Sequence, residues 1–201
     1  MNALSAYIEH DSRELPRKTL KAGLWMDESF DWYSEEDMMS HPEGGIRTLL
    51  QSFTKQKIMY SKFTIKNTTL EAKSPKVFFQ YENAFERQAV AFYSPHEQAI
   101  MHVAPNSVAL LGGVMKGKGI AQYCIQGKGG LYENGCFKSL REGLLFYSPL
   151  AKGQVTSIFT LESEILPLEC VEVVAWAIHA DTKEEAQFLN RELFQAVQKE
   201  F

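Results

Sequence analysis

Little in this sequence speaks for a membrane, a nucleic acid or a metal. No apolar run approaches the roughly 20 residues that span a bilayer, which excludes a transmembrane helix. The opening stretch, MNALSAYIEHDSRELPRK, carries acids and lacks an apolar core ahead of a small-residue cleavage site. It does not read as a secretory signal. Positive charge is not in excess, since 21 Lys and Arg stand against 25 Asp and Glu for a net charge of −4. The basic stripe of a nucleic-acid surface is therefore not expected. Only three cysteines occur, Cys124, Cys136 and Cys170, without CxxC spacing. That pattern fits reduced thiols in a cytoplasmic protein and argues against a metal site. His10, His41 and His96 are scattered, without the close spacing of zinc ligands. Two glycine-rich stretches, GGVMKGKG at 112–119 and GKGG at 127–130, lack the GxxxxGK[ST] pattern and open no helix. They read as hairpin loops, not phosphate cradles, and no cofactor is implied.

What the sequence does have is a period of two. Of 201 residues, 45% are hydrophobic and 23% charged, as in a soluble globular protein. Alternating or fully apolar segments at 46–53, 57–67, 76–81, 88–93, 98–103, 107–115, 119–126, 140–147, 154–161 and 171–180 read as strands. Turns rich in Asn, Pro, Ser and Gly separate them at intervals of about 8–12 residues. Within 57–67 the apolar parity changes between Tyr60 and Phe63, which calls for a bulge or for a strand covered on both faces. Residues 1–21 are expected to form an arm on the surface or an edge strand, and 22–45 an acidic segment interleaved with aromatics. FYSP recurs at 92–95 and 146–149, which good turn chemistry explains more simply than a duplication. One strong helix signal follows the strands. In VEVVAWAIHADTKEEAQFLNREL, Asp181 and Thr182 can cap a helix whose first turn holds Glu184 and Glu185. Many strands and one helix predict an all-β fold, a large two-sheet antiparallel sandwich with a C-terminal α-helix. The expected layout is one domain over 1–201, with the arm at 1–21, the sandwich at 22–180 and the helix at 181–201.

Three segments carry a family resemblance: AGLWMDESFDWYSEED, SKFTIKNTTLEAKSPKVFFQYENAF, and FYSPLAKGQVTSIFTLES with EVVAWAIHADTKEEAQFLNREL. In order and spacing they are similar to the N-terminal β-sandwich, or supersandwich, of bacterial glucoamylase-like glycoside hydrolases. The resemblance implies a noncatalytic accessory domain that packs against a catalytic α/α barrel, in cis or in trans, and helps to shape its substrate cleft. In that family the capped helix passes into a six-hairpin barrel holding two catalytic carboxylates. Nothing here resembles that catalytic segment, so no catalytic residue is carried over. The chain reads either as an excised domain or as an accessory sandwich encoded alone.

Helical spacing places Ala186, Leu189, Leu193, Val197 and Phe201 on one stripe, with Phe194 at its margin and Phe188 nearly opposite. Phe188, Phe194 and Phe201 are the candidate docking residues. Trp25, Asp27, Asp31 and Trp32 could contact an oligosaccharide, with indoles stacking on a pyranose and carboxylates accepting hydroxyl hydrogens. The plainer and preferred reading is that the tryptophans fill the edge of a core and the acids are solvated. His102 and His179 could serve as the acid and base of a stand-alone mutarotase-type enzyme if a Glu joined them. A buried or edge histidine is the preferred reading of each. A free carbohydrate-binding or protein-interaction module is a third possibility.

Overall fold

The computed structural model describes residues 19–33, 45–82, 88–127 and 135–199. The first 18 residues, most of the acidic segment after Tyr33, the rest of the glycine-rich loop at 128–134 and Phe201 lie outside the described residues.

Fourteen strands and one helix are present among the described residues. In chain order the strands are β1 Thr19–Met26, β2 Ser29–Tyr33, β3 Ile46–Lys55, β4 Ile58–Asn67, β5 Lys76–Glu82, β6 Ala89–Ser94 and β7 Ala99–Ala104. They continue as β8 Ser107–Met115, β9 Tyr123–Gly127, β10 Phe137–Ser139, β11 Leu144–Leu145, β12 Leu150–Gly153, β13 Val155–Glu162 and β14 Cys170–Ala180. Helix α1 spans Lys183–Lys199. One sheet has the order β2-β1-β5-β13-β9 and the other β12-β6-β7-β8-β14-β4-β3, while β10 and β11 form a small hairpin. The named strands of the two large sheets pair antiparallel. The expected two-sheet antiparallel sandwich with a C-terminal helix is the observed fold.

The main core lies between the sheets, where Phe63, Ile65, Phe79, Leu111, Phe159 and Val173 meet. β14 is apolar on both faces because both are covered. Val171, Val173, Ala175 and Ala177 point into the sandwich, while Trp176, Ile178 and Ala180 point the other way, under α1. β4 likewise buries apolar residues on both faces, Ile58 and Tyr60 toward the helix side and Phe63 and Ile65 in the main core, and its register with β3 and β14 runs without a shift. The parity change at Tyr60 is therefore not a bulge. Thr182 Oγ1 accepts the Glu185 N–H at 3.2 Å, and Glu185 Oε2 accepts the Asp181 N–H at 3.2 Å. This reciprocal cap starts α1 where the sequence placed it.

Several features departed from the expected pattern. Residues 19–33 form the hairpin of β1 and β2, with Asp27 and Glu28 both at positive φ (50° and 68°) in its two-residue turn. That conformation suits Asp better than Glu, so composition gave no hairpin signal. Leu150–Gly153, which the sequence pattern predicts as a turn, is an edge strand beside β6. Residues 140–143 are turn, and within 140–147 only Leu144–Leu145 is extended. Cys170, whose strand-like apolar surroundings predict an inert core thiol as they do for Cys124, is exposed at the start of β14, while Cys124 is buried.

α1 sits on β8 and β14 where a glycine clears the way. A Cβ at Gly112 would stand 2.7 Å from Trp176 Nε1 and 3.1 Å from Asn190 Oδ1. The buried indole N–H donates to Asn190 Oδ1 at 3.0 Å, and Asn190 Nδ2 donates to the Glu97 carbonyl at 3.0 Å. Asn190 thus pins the helix to a strand on one side and to the β6–β7 turn on the other. Gly112→Ala should cost about 1–3 kcal/mol by overpacking this contact. Urea unfolding should show a lower midpoint at unchanged slope, and a loss under about 0.5 kcal/mol would show that the contact relaxes freely.

Candidate functional site

The structure brings together the two histidines that the sequence could not place relative to one another. His102 on β7 and His179 on β14 are each the cross-strand partner of Ala109 on β8, so the three side chains share one row on the inner face. Tyr81 of the opposite sheet touches both. Its ring is perpendicular to that of His102 at 5.3 Å and tilted by 38° to that of His179 at 5.8 Å. Ser157, from β13, places Oγ 2.7 Å from His102 Nε2. Tyr81 and Ser157 escaped the reading from sequence because inward-facing polar residues alternate with outward ones in any strand. Only cross-strand registry shows that they face a histidine.

A serine hydroxyl at this distance from an imidazole has the spacing of an activated nucleophile. The surroundings oppose that role. Ser157 has no exposed surface and His102 is 3% exposed. His102 Nδ1 has no hydrogen-bond partner among the described residues, so no carboxylate orients the ring. Burial, and secondarily the nearby charge of His179, holds the His102 pKa down at about 4. At neutral pH it is an uncharged and weak base, below the range in which acid–base catalysis is efficient. Among the described residues, no group of three or more His, Cys, Asp or Glu is arranged to hold a metal ion.

The aromatic and acidic candidates near the start of the chain do not converge. Trp25 and Trp32 stand on the outer face of the first sheet, whereas Asp31, opposite Leu24, has the other parity. Trp32 is 39% exposed and packs edge-on against Phe30. Trp25 is occupied on its edge and its faces. Its Nε1 donates to Leu140 O at 3.0 Å, Lys76 Nζ lies 4.8 Å from its ring centre, and a Cβ at Gly143 would come within 2.7 Å of the ring. Asp27 pairs with Lys73 at 3.2 Å, and Glu28 in the same turn takes two hydrogen bonds from Arg141. Trp25 and Glu28 clamp the β1–β2 hairpin onto the 140–143 turn, while Asp27 ties it to Lys73.

Of the docking candidates, Phe188 is 60% exposed. Phe194 turns inward and meets Trp176 edge-to-face at 6.4 Å. On the same outer sheet face as the helix, Phe53 and Tyr60 stack at 4.9 Å with 18° between their planes, and Phe53 is 53% exposed. A second aromatic set joins the sheets at their edges. Tyr93 stacks on Tyr123 at 4.2 Å, and Tyr123 meets Tyr147 at 5.6 Å. Burial, helped by the bond to Tyr147, pushes the Tyr123 phenol up to about 12. The repeated FYSP supplies two of these three rings, Tyr93 and Tyr147.

No protein-family model matches the chain, and no curated protein matches it. Among solved structures, a polysaccharide lyase superposes on 87% of this chain with a TM-score of 0.42 and 12% sequence identity. The chain spans 27% of the length of that lyase. A likeness of this extent carries no functional inference. Among the described residues no helix is long and apolar enough to cross a membrane.

His102 also couples the interior to pH. Its folded pKa, about 4, lies below the ordinary 6.5, so the unfolded chain binds the proton more readily. The associated stability is complete above pH 6.5 and is lost as pH falls toward 4. The loss should be on the order of 3 kcal/mol. Urea midpoints measured from neutral to acid pH should fall over this window. The slope should flatten in His102→Gln, and an unchanged slope would remove His102 as its source.

Proposed function

We propose that this chain is a noncatalytic accessory sandwich of a glucoamylase-like glycoside hydrolase, packing against a catalytic α/α barrel and helping to shape its substrate cleft. The observation that carries the reading is the division of labour on α1. One stripe, with Ala186 fully buried and Leu189, Leu193 and Val197 packed beside it, closes the domain's own sheet. Phe188, projecting from the other side, keeps an exposed aromatic ring. Covering the sheet does not use this ring, which leaves it available to a partner. Exposed Phe53, stacked on the partly buried Tyr60, extends aromatic surface along the same sheet face. The two-sheet architecture and its capped terminal helix are those implied by the sequence resemblance. The sealed, neutral His102 fits a body that supports chemistry carried elsewhere.

A second reading is favoured by one fact, the shared row of His102 and His179 beneath Tyr81. A mutarotase-type enzyme would use such a pair as acid and base. Aldose mutarotation by the parent chain, lost in His102→Ala and in His179→Ala, would establish that reading over the first.

The accessory role is tested by the gene and then by association. The open reading frame, or its immediate neighbour, should encode a six-hairpin barrel with paired carboxylates. The purified sandwich should bind that barrel, and Phe188→Ser should weaken binding about tenfold, or ~1.4 kcal/mol, without lowering the unfolding midpoint. A barrel that ignores the sandwich, or a locus that encodes none, would end this reading.

A further inference from the structure

The turn between β6 and β7 buries a carboxylate beside a cavity. Glu97 lies in SPHEQ, and Gln98, at φ 49°, donates its N–H to the Pro95 carbonyl at 3.3 Å. The side chain of Glu97 is 2% exposed. Its Oε1 lies 3.1 Å from His96 Nδ1. Its Oε2 has no hydrogen-bond partner among the described residues, and Arg191 Nε, the nearest cation, stands 4.0 Å away. That gap is too long for a hydrogen bond. Arg191 Nε donates instead to Gln187 O at 3.2 Å. The cavity beside these groups measures about 150 Å³, and Gln98, Asn190 and Phe194 also line it.

We propose that this cavity binds a neutral polyhydroxylated ligand, a single sugar unit with adjacent hydroxyls. A buried carboxylate oxygen calls for a hydrogen-bond donor. A cationic ligand would supply one but would meet the Arg191 guanidinium, and an anion would meet Glu97. A hydroxyl satisfies both, because it donates to Glu97 Oε2 while accepting from the terminal nitrogens of Arg191. Adjacent hydroxyls on one ring extend the pattern to the Gln98 amide. Phe194 supplies an apolar wall for the C–H face of the ring. The volume equals the space of roughly five water molecules in the liquid, which suits one sugar unit better than an extended chain.

The site is preorganised. Asn190 holds the Glu97 backbone and the Trp176 indole together, and Phe194 is braced on Trp176. A Cβ at Gly119 would press on Gln98 Oε1 at 3.2 Å, so glycine there leaves room for the amide. Such bracing lowers the ordering cost of binding. The accessory role does not require this site, and only the choice of a glucosyl probe rests on that reading.

The test is an NMR titration of the isotopically labelled full chain with maltose, to about 100 mM so that weak binding is seen. Agmatine and inorganic phosphate serve as the cationic and anionic comparisons. Maltose should give saturable shifts at the side-chain amides of Gln98 and Asn190 and at the ring of Phe194. Arg191→Ala removes an exposed side chain and should leave the remaining spectrum intact while weakening binding at least tenfold. Glu97→Gln, of equal size, should do the same. Three outcomes would overturn the proposal: no shift at these groups, maltose shifts that survive both substitutions, or saturable binding of agmatine or phosphate in place of maltose. Each is read on the sandwich alone, so a negative result leaves the barrel-docking reading to its own association test.

Discussion

The structure depends on β14 being buried on both faces at once. Its inner residues complete the core between the sheets, and its outer residues require a lid. Trp176 makes that requirement strict. It is a large side chain with no exposed surface, and its N–H must find an acceptor outside the sheet. Leaving such a donor unpaired would cost about 1–3 kcal/mol, a sizeable share of a domain's net stability. Asn190 is that acceptor, and through its amide it also reaches the β6–β7 turn. Helix, strand and turn are thus fixed by one polar side chain inside an otherwise apolar layer.

Much of the architecture was legible because burial writes itself into side-chain period. The two-sided apolar run before Asp181 announced a covered strand, and Thr182 with Glu185 announced the helix that covers it. The hairpin of β1 and β2 was not legible, since its turn holds Asp27 and Glu28 where a glycine or asparagine would have signalled it. The short strand Leu150–Gly153 was obscured for a related reason. A four-residue edge with a glycine and a lysine has too little periodicity to stand out.

The candidate site was less legible still. His102 and His179 lie 77 positions apart in sequence and share a row only because β8 separates β7 from β14. Registry of this kind is a property of strand order, which composition does not encode. Trp25 and Asp27 look like sugar contacts in one dimension and act as clamps in three, Trp25 against Lys76 and the 140–143 turn and Asp27 against Lys73. Glu97 gave no signal, because an acid in a turn reads as solvated and this one is folded under a helix.

The position of β14 has a consequence for how the chain is made. It is the last strand among the described residues, yet it sits between β8 and β4, inside its sheet. Until it emerges from the ribosome, the β6-β7-β8 and β3-β4 portions have no strand to join them, and each offers an open hydrogen-bonding edge. Vectorial synthesis therefore holds this sheet as two unfinished halves, the condition in which edge-to-edge misassociation is most easily seeded, until the final strand zips them together.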